Sequence, residues 1–432
     1  MNYSDTERLK SVLEHLGYLP APSEKTADFV LLNTCSVRQK AENRVDGRIK
    51  KISKMRHERP DLLIGVTGCM VRKSSTKNST KRDKLINNKP VDIAFRIEDL
   101  AQLGDLLNEV CPDAGFPSLD EGELENYFHI APKRESKAQV WVPIQTGCDK
   151  FCTYCIVPFA RGREKSRPME EILKECETAV ENGAVEITLI GQTVDSYGLS
   201  VKDKLTQNFD ANIPNVVFNQ KIFEGENVMA SAPTIATANK KDAPMAALPF
   251  ITLLKKINAL KSKGLRRLRY TSPHPQDFSE ELIILHKELE TLQPWIHLPV
   301  QSGNNKVLQD MRRTYTREHY LYLIDLIRKH LPDCAISTDI IVGFPNETEE
   351  EFMDSYNMMK DVEFDMAFMS PYSPRKGTHS QKHMKDNVAP KEKSRRFHML
   401  NDLLTKNSRK KHEAFVGKTV EVLVEKCKKN KG

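Results

Sequence analysis

Three cysteines on one short stretch are the residues of this chain best suited to chemistry. Cys148, Cys152 and Cys155 follow a C-x3-C-x2-C spacing, with no fourth cysteine or histidine nearby in sequence to complete a tetrahedral site. Three thiolates on one loop can hold three irons of a [4Fe-4S] cluster, which leaves the fourth iron open to a ligand that is not protein. The amino and carboxylate groups of S-adenosylmethionine are such a ligand, and electron transfer into the bound sulfonium then releases a carbon radical.

Two simpler interpretations of the triplet are a zinc site and a set of buried structural thiols. Structural zinc almost always has four protein ligands. The nearest cysteines outside the triplet, Cys111 and Cys176, lack the paired spacing of a zinc knuckle. The spacing therefore favours an iron–sulfur cluster, and we expect Cys111, Cys176, Cys334 and Cys427 to take no part in the chemistry.

The length, composition and cysteine usage are typical of a multidomain protein in a reducing compartment. The 432 residues are enough for about two or three domains, each with its own core. No apolar run approaches the ~18 residues of a membrane span, and the first residues lack signal-peptide character. Nine cysteines in uneven groups do not indicate a disulfide framework, and cluster thiolates require reducing conditions. We therefore expect a soluble, cytoplasmic protein.

Alternating strand and helix patterns predict an α/β protein with parallel sheets. Six strand–helix units in the centre are fewer than the eight of a closed barrel, which indicates a partial (β/α)6 barrel. The six strands are predicted over residues 140–145, 186–190, 268–271, 295–299, 335–342 and 366–370. Five parts are expected in chain order: an N-terminal α/β domain (1–110), a linker (111–137), the barrel (138–375, with an insertion at 199–247), a basic helical connection (376–414) and a β segment (415–432). Residues 72–89 lack periodicity and are predicted as a mobile loop.

The sequence around the triplet resembles the radical-SAM methylthiotransferases. The clearest match runs from Gly147 to Arg167 and contains the cysteines followed by Ile-Val-Pro-Phe-Ala-Arg-Gly-Arg. Further matching blocks follow in order at residues 189–198, 270–275, 297–303, 311–316, 337–345 and 372–375, and two more lie upstream at 33–38 and 68–70. The resemblance covers most of the chain apart from the 199–247 insertion. It implies the partial-barrel fold, with a C-terminal TRAM-like β-barrel for RNA of which residues 415–432 would be only the beginning.

The resemblance implies two [4Fe-4S] clusters. One would be held by the triplet together with S-adenosylmethionine, and the second, auxiliary cluster by three N-terminal cysteines. Two of these correspond to Cys35 and Cys69, each of which directly follows a predicted parallel strand, where such sheets place ligands. The third normally precedes the Ser-Asp that opens the first helix. Here that pair is Ser4-Asp5, so this ligand would lie upstream of Met1, and we expect either an upstream start codon or an incomplete auxiliary site, with the first favoured.

Cofactor contacts are predicted from position and from the resemblance. Tyr154, inside the triplet, resembles an aromatic residue that lies near the adenine of the cofactor in such enzymes. The polar residues at or near strand ends could face the cavity, although strand-end polar residues often serve as caps. These candidates are Gln192, Ser272, Gln301, Thr338 and Asp339.

The activity implied by the resemblance is addition of a methylthio group to C2 of N6-isopentenyladenosine at position 37 of tRNA. The hydrogen on C2 is unactivated, so its removal needs a radical. Expected partners are the tRNA anticodon stem-loop, which basic groups such as Arg161, Arg163, Lys165 and Arg167 could contact, and an electron donor such as flavodoxin or ferredoxin. A monomer without membrane contact is expected. Alternative activities are methylthiolation of threonylcarbamoyl-adenosine 37 or of a ribosomal-protein aspartate. A more distant alternative is an RNA-binding protein with a structural cluster.

Overall fold

The computed structural model describes residues 1–36, 39–118, 127–134, 136–199 and 248–424. Packing divides the chain into two units. The N-terminal unit consists of Met1–Glu135, Thr146–Cys148 and Cys155–Lys165. The barrel unit consists of Ser136–Gln145, Asp149–Tyr154 and Ser166–Gly432. The boundary between the units crosses the loop that carries Cys148, Cys152 and Cys155, here called the cysteine loop, at two points. Asp149–Tyr154 of this loop belong to the barrel unit, and Cys148 and Cys155 belong to the N-terminal unit.

The N-terminal unit is built on a four-stranded sheet in the order β1-β2-β4-β3. The strands β1, β2 and β4 are parallel, and the short β3 is antiparallel to β4. The middle strand β2 is buried along nearly its whole length, as expected where helices cover both faces of a parallel sheet. The elements are α1 (Asn2–His15), β1 (Phe29–Thr34), α2 (Gln39–Lys54), β2 (Leu63–Gly68), β3 (Ser75–Thr76), α3 (Lys84–Asn88), β4 (Ile93–Phe95) and α4 (Leu103–Val110).

Two parts of the N-terminal unit differ from the sequence-based prediction. Residues 72–89 are not a structureless loop, because they contain β3 and α3, and Leu85 and Ile86 of α3 are buried in the core. The predicted linker contributes Tyr127, Phe128 and Ile130 to a second core cluster together with α1 and α4. In both places, apolar side chains without helical or strand periodicity are buried in a core. Periodicity in the sequence could not predict that burial.

The barrel unit contains all six predicted parallel strands, which confirms the partial (β/α)6 barrel. They form two three-stranded parallel sheets, β5-β8-β9 and β10-β11-β12, and an isolated parallel bridge joins Leu268 to Leu292 at the end of the first sheet. The strands are β5 (Gln139–Pro143), β8 (Glu186–Ile190), β9 (Arg267–Tyr270), β10 (Trp295–His297), β11 (Ala335–Val342) and β12 (Met366–Pro371), and the short β6 (Gln145–Thr146) and β7 (Lys165–Ser166) border the cysteine loop.

Helices follow the strands of the barrel unit and bury one face against them. A continuous apolar core joins residues from all six strands and from the long helices. The helices that follow the cysteine loop are α5 (Val157–Arg161, packed in the N-terminal unit), α6 (Met169–Glu181), α7 (Pro249–Asn258), α8 (Glu280–Glu288), α9 (Asn305–Asp310), α10 (Arg317–His330), α11 (Glu349–Val362), α12 (His379–His383) and α13 (Pro390–Glu413). The short helices α5, α9 and α12 were not predicted, because one or two turns leave little periodicity to detect.

The end of the described chain differs from its prediction. The basic helix α13 is present, but residues 415–424 form no strand. The alternating side chains of Val420, Val422 and Val424 are exposed, and in the described residues no neighbouring strand pairs with them. Residues 200–247 of the predicted insertion and 425–432 of the predicted β segment lie outside the described residues. Among the helices described, none has the length and apolar character needed to cross a membrane.

Candidate functional site

The cysteine loop begins with a backbone shape that requires glycine. Gly147 has φ +73°, and a Cβ atom there would lie 2.0 Å from the carbonyl oxygen of Arg163. The amide of Cys148 donates to the carbonyl of Gly162 at 3.3 Å, so the first cysteine is tied to the chain that follows α5. Cys148 is buried, whereas Cys152 and Cys155 are half-buried. Phe151 also adopts a left-handed conformation, with φ +48°, directly before Cys152.

The middle of the loop is anchored to the C-terminal end of α9. The amide of Thr153 donates to the carbonyl of Met311 at 3.0 Å, and its hydroxyl donates to the carbonyl of Asp310 at 2.9 Å. Beside them, Nη1 of Arg313 donates to Sγ of Cys152 at 3.4 Å. Arg313 lies in one of the matching sequence blocks, but it was given no role there, because nothing local links it to a cysteine 161 positions away.

A buried polar cluster holds the preceding part of the loop. Nζ of Lys150 lies 2.5 Å from a carboxylate oxygen of Asp277 and donates to Gln276 at 3.1 Å. Asp195, which follows β8, accepts a hydrogen bond at 2.7 Å from the amide of His274, which follows β9. Burial, and then the charge of Asp277, raises the pKa of Asp195 well above its ordinary value. These residues tie the cysteine loop to the carboxyl ends of neighbouring strands, and sequence reasoning missed all of them.

The predicted cofactor residues lie at different places in the barrel unit. Ser272 and Gln301 follow β9 and β10 and have left-handed backbones, with φ +63° and +70°, a strain that often marks functional positions. Gln192 is half-buried just after β8. The ring of Tyr154 packs edge-on against Phe344 after β11, with centroids 6.3 Å apart. These four candidates therefore lie at the carboxyl ends of strands or on the cysteine loop, and their contact with a cofactor stays a prediction.

The other two candidates lie inside β11 and already have protein partners. The hydroxyl of Thr338 donates to the carbonyl of Leu298 at 2.8 Å and accepts from the amide of Val300 at 3.0 Å. Both partners belong to the segment that follows β10, so this hydroxyl has little remaining capacity to bind a ligand. Asp339 is partly exposed, and its carboxylate lies 3.6 Å from Nε2 of His297.

Cys35 and Cys69 occupy equivalent positions at the end of two paired strands. The last registered pair of β1 and β2 is Thr34 with Gly68, and each cysteine follows its strand by one residue. The amide of Cys69 donates to the carbonyl of Thr34 at 3.0 Å. Gly68 has φ +87°, and a Cβ atom there would lie 2.4 Å from that carbonyl oxygen. Since parallel strands lie about 4.8 Å apart, the two cysteine backbones are close neighbours, as expected from the sequence.

A buried arginine lies beside this pair within the N-terminal unit. Arg161, at the end of α5, forms an ion pair with Asp5 of α1 at 2.5 Å, and the two side chains are 2% and 0% exposed. Although burial opposes its charge, the pKa of Arg161 is raised by Asp5 and by Cys69. Within the described chain, Nη1 of Arg161 is buried without a hydrogen-bond partner. An unsatisfied buried donor near a thiol fits a site that accepts an anionic group.

The types of side chain at both cysteine sites suit iron–sulfur clusters. In the described ranges, no group of three or more His, Cys, Asp or Glu side chains lies close enough together to hold a metal ion. The available ligands are nevertheless soft thiols, and each site has a guanidinium close to a cysteine, Arg313 at Cys152 and Arg161 near Cys69. Soft thiolates select iron–sulfur clusters, and nearby cations stabilise thiolates. The residues present therefore fit the groups that the resemblance implies.

Comparisons with known proteins cover both units. Residues 142–359 match the Radical SAM superfamily, and residues 1–88 match the family described as uncharacterized protein family UPF0004. The chain is 37% identical over 428 residues to the tRNA-2-methylthio-N(6)-dimethylallyladenosine synthase of Moorella thermoacetica, which covers 98% of this chain and 85% of that protein. It is also 37% identical over 431 residues to the synthase of the same name from Thermotoga petrophila, with 100% and 85% covered.

A solved structure supports the fold at low sequence identity. The radical S-adenosylmethionine methyltransferase TsrM from Kitasatospora setae, with cobalamin and a [4Fe-4S] cluster bound, aligns with a TM-score of 0.51. The alignment covers 85% of this chain and 71% of that chain at 13% identity. At this identity the likeness concerns the arrangement of strands and helices.

Proposed function

We infer that this chain, which belongs to the family of tRNA-2-methylthio-N6-dimethylallyladenosine synthases, is a radical-SAM enzyme that adds a methylthio group to N6-dimethylallyl (isopentenyl) adenosine in tRNA. The observation that carries this conclusion is the similarity to such synthases over 98–100% of the chain, which includes both cysteine sites. The cofactors of this class are S-adenosylmethionine and [4Fe-4S] clusters. We further propose that the target is adenosine 37, next to the anticodon.

The triplet Cys148, Cys152 and Cys155 would hold the cluster that binds S-adenosylmethionine. When bound, this pair supplies the carbon radical that can remove the unactivated C2 hydrogen of adenine. Cys35 and Cys69 would hold the auxiliary cluster, near the buried guanidinium of Arg161, whose Nη1 has no hydrogen-bond partner among the described residues. This assignment is supported by the strand-end position of both cysteines and by the charge beside each site.

The residues of this chain position the cysteine loop and place apolar side chains beside it. Lys150 is fixed by Asp277, and Thr153 by two hydrogen bonds to the end of α9, so both sides of Cys152 are held by the barrel unit. Tyr154 and Phe344 provide apolar surface next to the loop. A site held rigidly and shielded from water limits side reactions of a reactive radical. We propose that Ser272 and Gln301 contact the cofactor. Their left-handed backbones and their positions after strand ends support this proposal.

We propose the binding partners of this enzyme from its charge and from the chemistry of the reaction. The chain carries a formal net charge of +7, and α13 exposes Lys406, Arg409 and Lys410, which could contact the phosphates of an anticodon stem-loop. A flavodoxin or ferredoxin would supply the electron. We also propose that the enzyme acts as a monomer in the cytoplasm, where thiolates remain reduced.

The test of this function is anaerobic turnover with isopentenylated tRNA, followed by mass spectrometry of the nucleosides. The wild-type protein should form 5′-deoxyadenosine and the 2-methylthio nucleoside. Cys152→Ala should lose about four irons and both products. Cys111→Ala, which removes a half-buried thiol assigned to neither site, should retain both products. Methylthiolation of threonylcarbamoyl-adenosine instead, or an unchanged Cys152→Ala protein, would contradict the assignment.

A further inference from the structure

Arg313 uses all three of its side-chain nitrogens within the barrel unit. Its Nη1 donates to Sγ of Cys152 at 3.4 Å, its Nε to the hydroxyl of Tyr315 at 2.9 Å, and its Nη2 to the carbonyl of Pro299 at 3.2 Å. The hydroxyl and the carbonyl are neutral acceptors. In the part of the chain that the structure describes, no carboxylate forms an ion pair with this guanidinium, so the sulfur of Cys152 is the one of these three acceptors that would carry negative charge as an iron-bound thiolate.

This arrangement gives the Cys152 sulfur a permanent positive neighbour. An arginine stays protonated at any physiological pH, and a half-buried cation such as Arg313 is stabilised by a negative partner. The charge and the sulfur therefore stabilise one another.

The guanidinium is held in place by the protein itself, independently of any ligand. The hydroxyl of Tyr315 that accepts from Arg313 donates onward to the carbonyl of Val300 at 2.7 Å, and its ring lies under the cation, with 5.0 Å between the guanidinium carbon and the ring centroid. The amide of Arg313 donates to the carbonyl of Leu308 at 2.8 Å, which closes the end of α9. Arg312 enters this turn with φ +54°. Backbone and side chain thus both fix the direction of the N–H that meets the sulfur.

We propose that Arg313 is a positioning residue that donates an N–H···S hydrogen bond to the iron-bound sulfur of Cys152 and thereby raises the reduction potential of the radical-SAM cluster. The inference rests on the proposed function, which makes Cys152 an iron ligand. Reduction adds one electron, taken from an external donor, with no bond made or broken. Because the added charge is negative, a fixed cation and a hydrogen bond to a ligand sulfur stabilise the reduced state more than the oxidised state.

The test uses the full chain in a Cys35→Ala, Cys69→Ala background, so that only the triplet can bind a cluster. After anaerobic reconstitution, iron and sulfide are counted, and the midpoint potential is measured by EPR during titration with dithionite. Arg313→Met should bind the same iron as its parent, with a midpoint shifted to a more negative value. Arg313→Lys, which keeps the charge but cannot reach all three hydrogen-bond partners, should show a smaller shift in the same direction.

Two controls make the result decisive. Arg266→Met removes the same charge from an exposed site of the barrel unit and should leave the midpoint unchanged. An unshifted midpoint in Arg313→Met would overturn the proposal. If that variant fails to bind iron, Arg313→Lys decides, since a lowered midpoint supports the proposal and an unchanged one refutes it. Cys152→Ala in the same background should lose the cluster, and a retained cluster would show that the proposed function has failed at this residue instead.

Discussion

At the residue scale, burial holds two hydrogen-bonded side chains of the barrel unit, His286 and Tyr270, in their neutral forms. Burial lowers the pKa of His286 to about 4, and Nδ1 of its ring faces the carbonyl of Gln293 at 2.8 Å. A carbonyl only accepts, so Nδ1 carries the proton, and Nε2 accepts from the hydroxyl of Tyr270 at 2.7 Å. Burial also raises the pKa of Tyr270 well above its usual value, which keeps that hydroxyl protonated.

We predict that His286 makes the stability of the protein fall in mild acid. The folded state keeps this ring neutral, whereas the unfolded chain begins to bind a proton below its ordinary pKa of about 6.5. Stability is therefore present above that value and is lost as pH falls toward the folded-state pKa, by about 2 kcal/mol between about pH 7 and about pH 5. Anaerobic urea denaturation should show a smaller loss in His286→Gln, which keeps a donor and an acceptor without titrating.

The matched control is His398→Gln, since His398 is exposed on α13. Its loss between the two pH values should equal that of the wild type. If His286→Gln loses as much stability as the wild type, His286 does not remain neutral in the folded protein.

At the element scale, α13 is joined to the loop between β11 and α11 by a buried ion pair. Nη1 of Arg396 lies 2.9 Å from a carboxylate oxygen of Glu347, and the side chains are 5% and 1% exposed. The same oxygen accepts from the amide of Gly343 at 2.6 Å. Gly343 has φ +68°, and a Cβ atom there would lie 2.4 Å from Cγ of Lys393. The helix thus packs against the carboxyl end of β11 through contacts that tolerate little change.

We predict that Arg396→Met lowers the free energy of unfolding by about 3–5 kcal/mol, because it leaves the Glu347 carboxylate buried without its cation. The double variant Arg396→Met, Glu347→Gln should lose less than the single one, since the remaining side chain is neutral. Arg395→Met, which removes an exposed arginine on the same helix, should cost about 0–1 kcal/mol. Equal losses in the single and double variants would mean that the charge of Glu347 does not matter.

At the scale of the whole molecule, we propose that the two cysteine sites carry out separate steps of the reaction. The triplet is assigned to radical formation, and Cys35 and Cys69 of the N-terminal unit to the auxiliary cluster. Each site has its own guanidinium, Arg313 or Arg161, and its own supporting backbone. Damage to one site should therefore leave the other able to form.

We predict that Cys35→Ala with Cys69→Ala preserves 5′-deoxyadenosine formation but abolishes the methylthio nucleoside. The double variant lacks only ligands of the auxiliary site, so the radical-forming triplet stays intact. Anaerobic turnover with isopentenylated tRNA and mass spectrometry measures both products in one experiment. Cys111→Ala is the control for loss of a thiol elsewhere in the N-terminal unit. Sulfur insertion at the normal rate in the double variant would mean that Cys35 and Cys69 are ordinary core thiols.

Local patterns were enough to predict the six barrel strands, the long helices and the strand-end positions of Cys35 and Cys69. Strand and helix periodicities repeat over a few residues, so the six barrel strands and the long helix α13 could be identified from the sequence alone. The sequence also predicted that Cys35 and Cys69 lie close together, because each follows a parallel strand and such strands end at one edge of a sheet.

The long-range contacts around the cysteine sites were decided only by the tertiary structure. Arg313 reaches Cys152 across 161 positions, Lys150 meets Gln276 across 126, and Arg161 meets Asp5 across 156. Tyr127 lies in a segment without periodicity and still enters the core. Local sequence specifies the conformation of each segment, but which distant side chains meet depends on how the segments pack, and no short-range pattern records that choice.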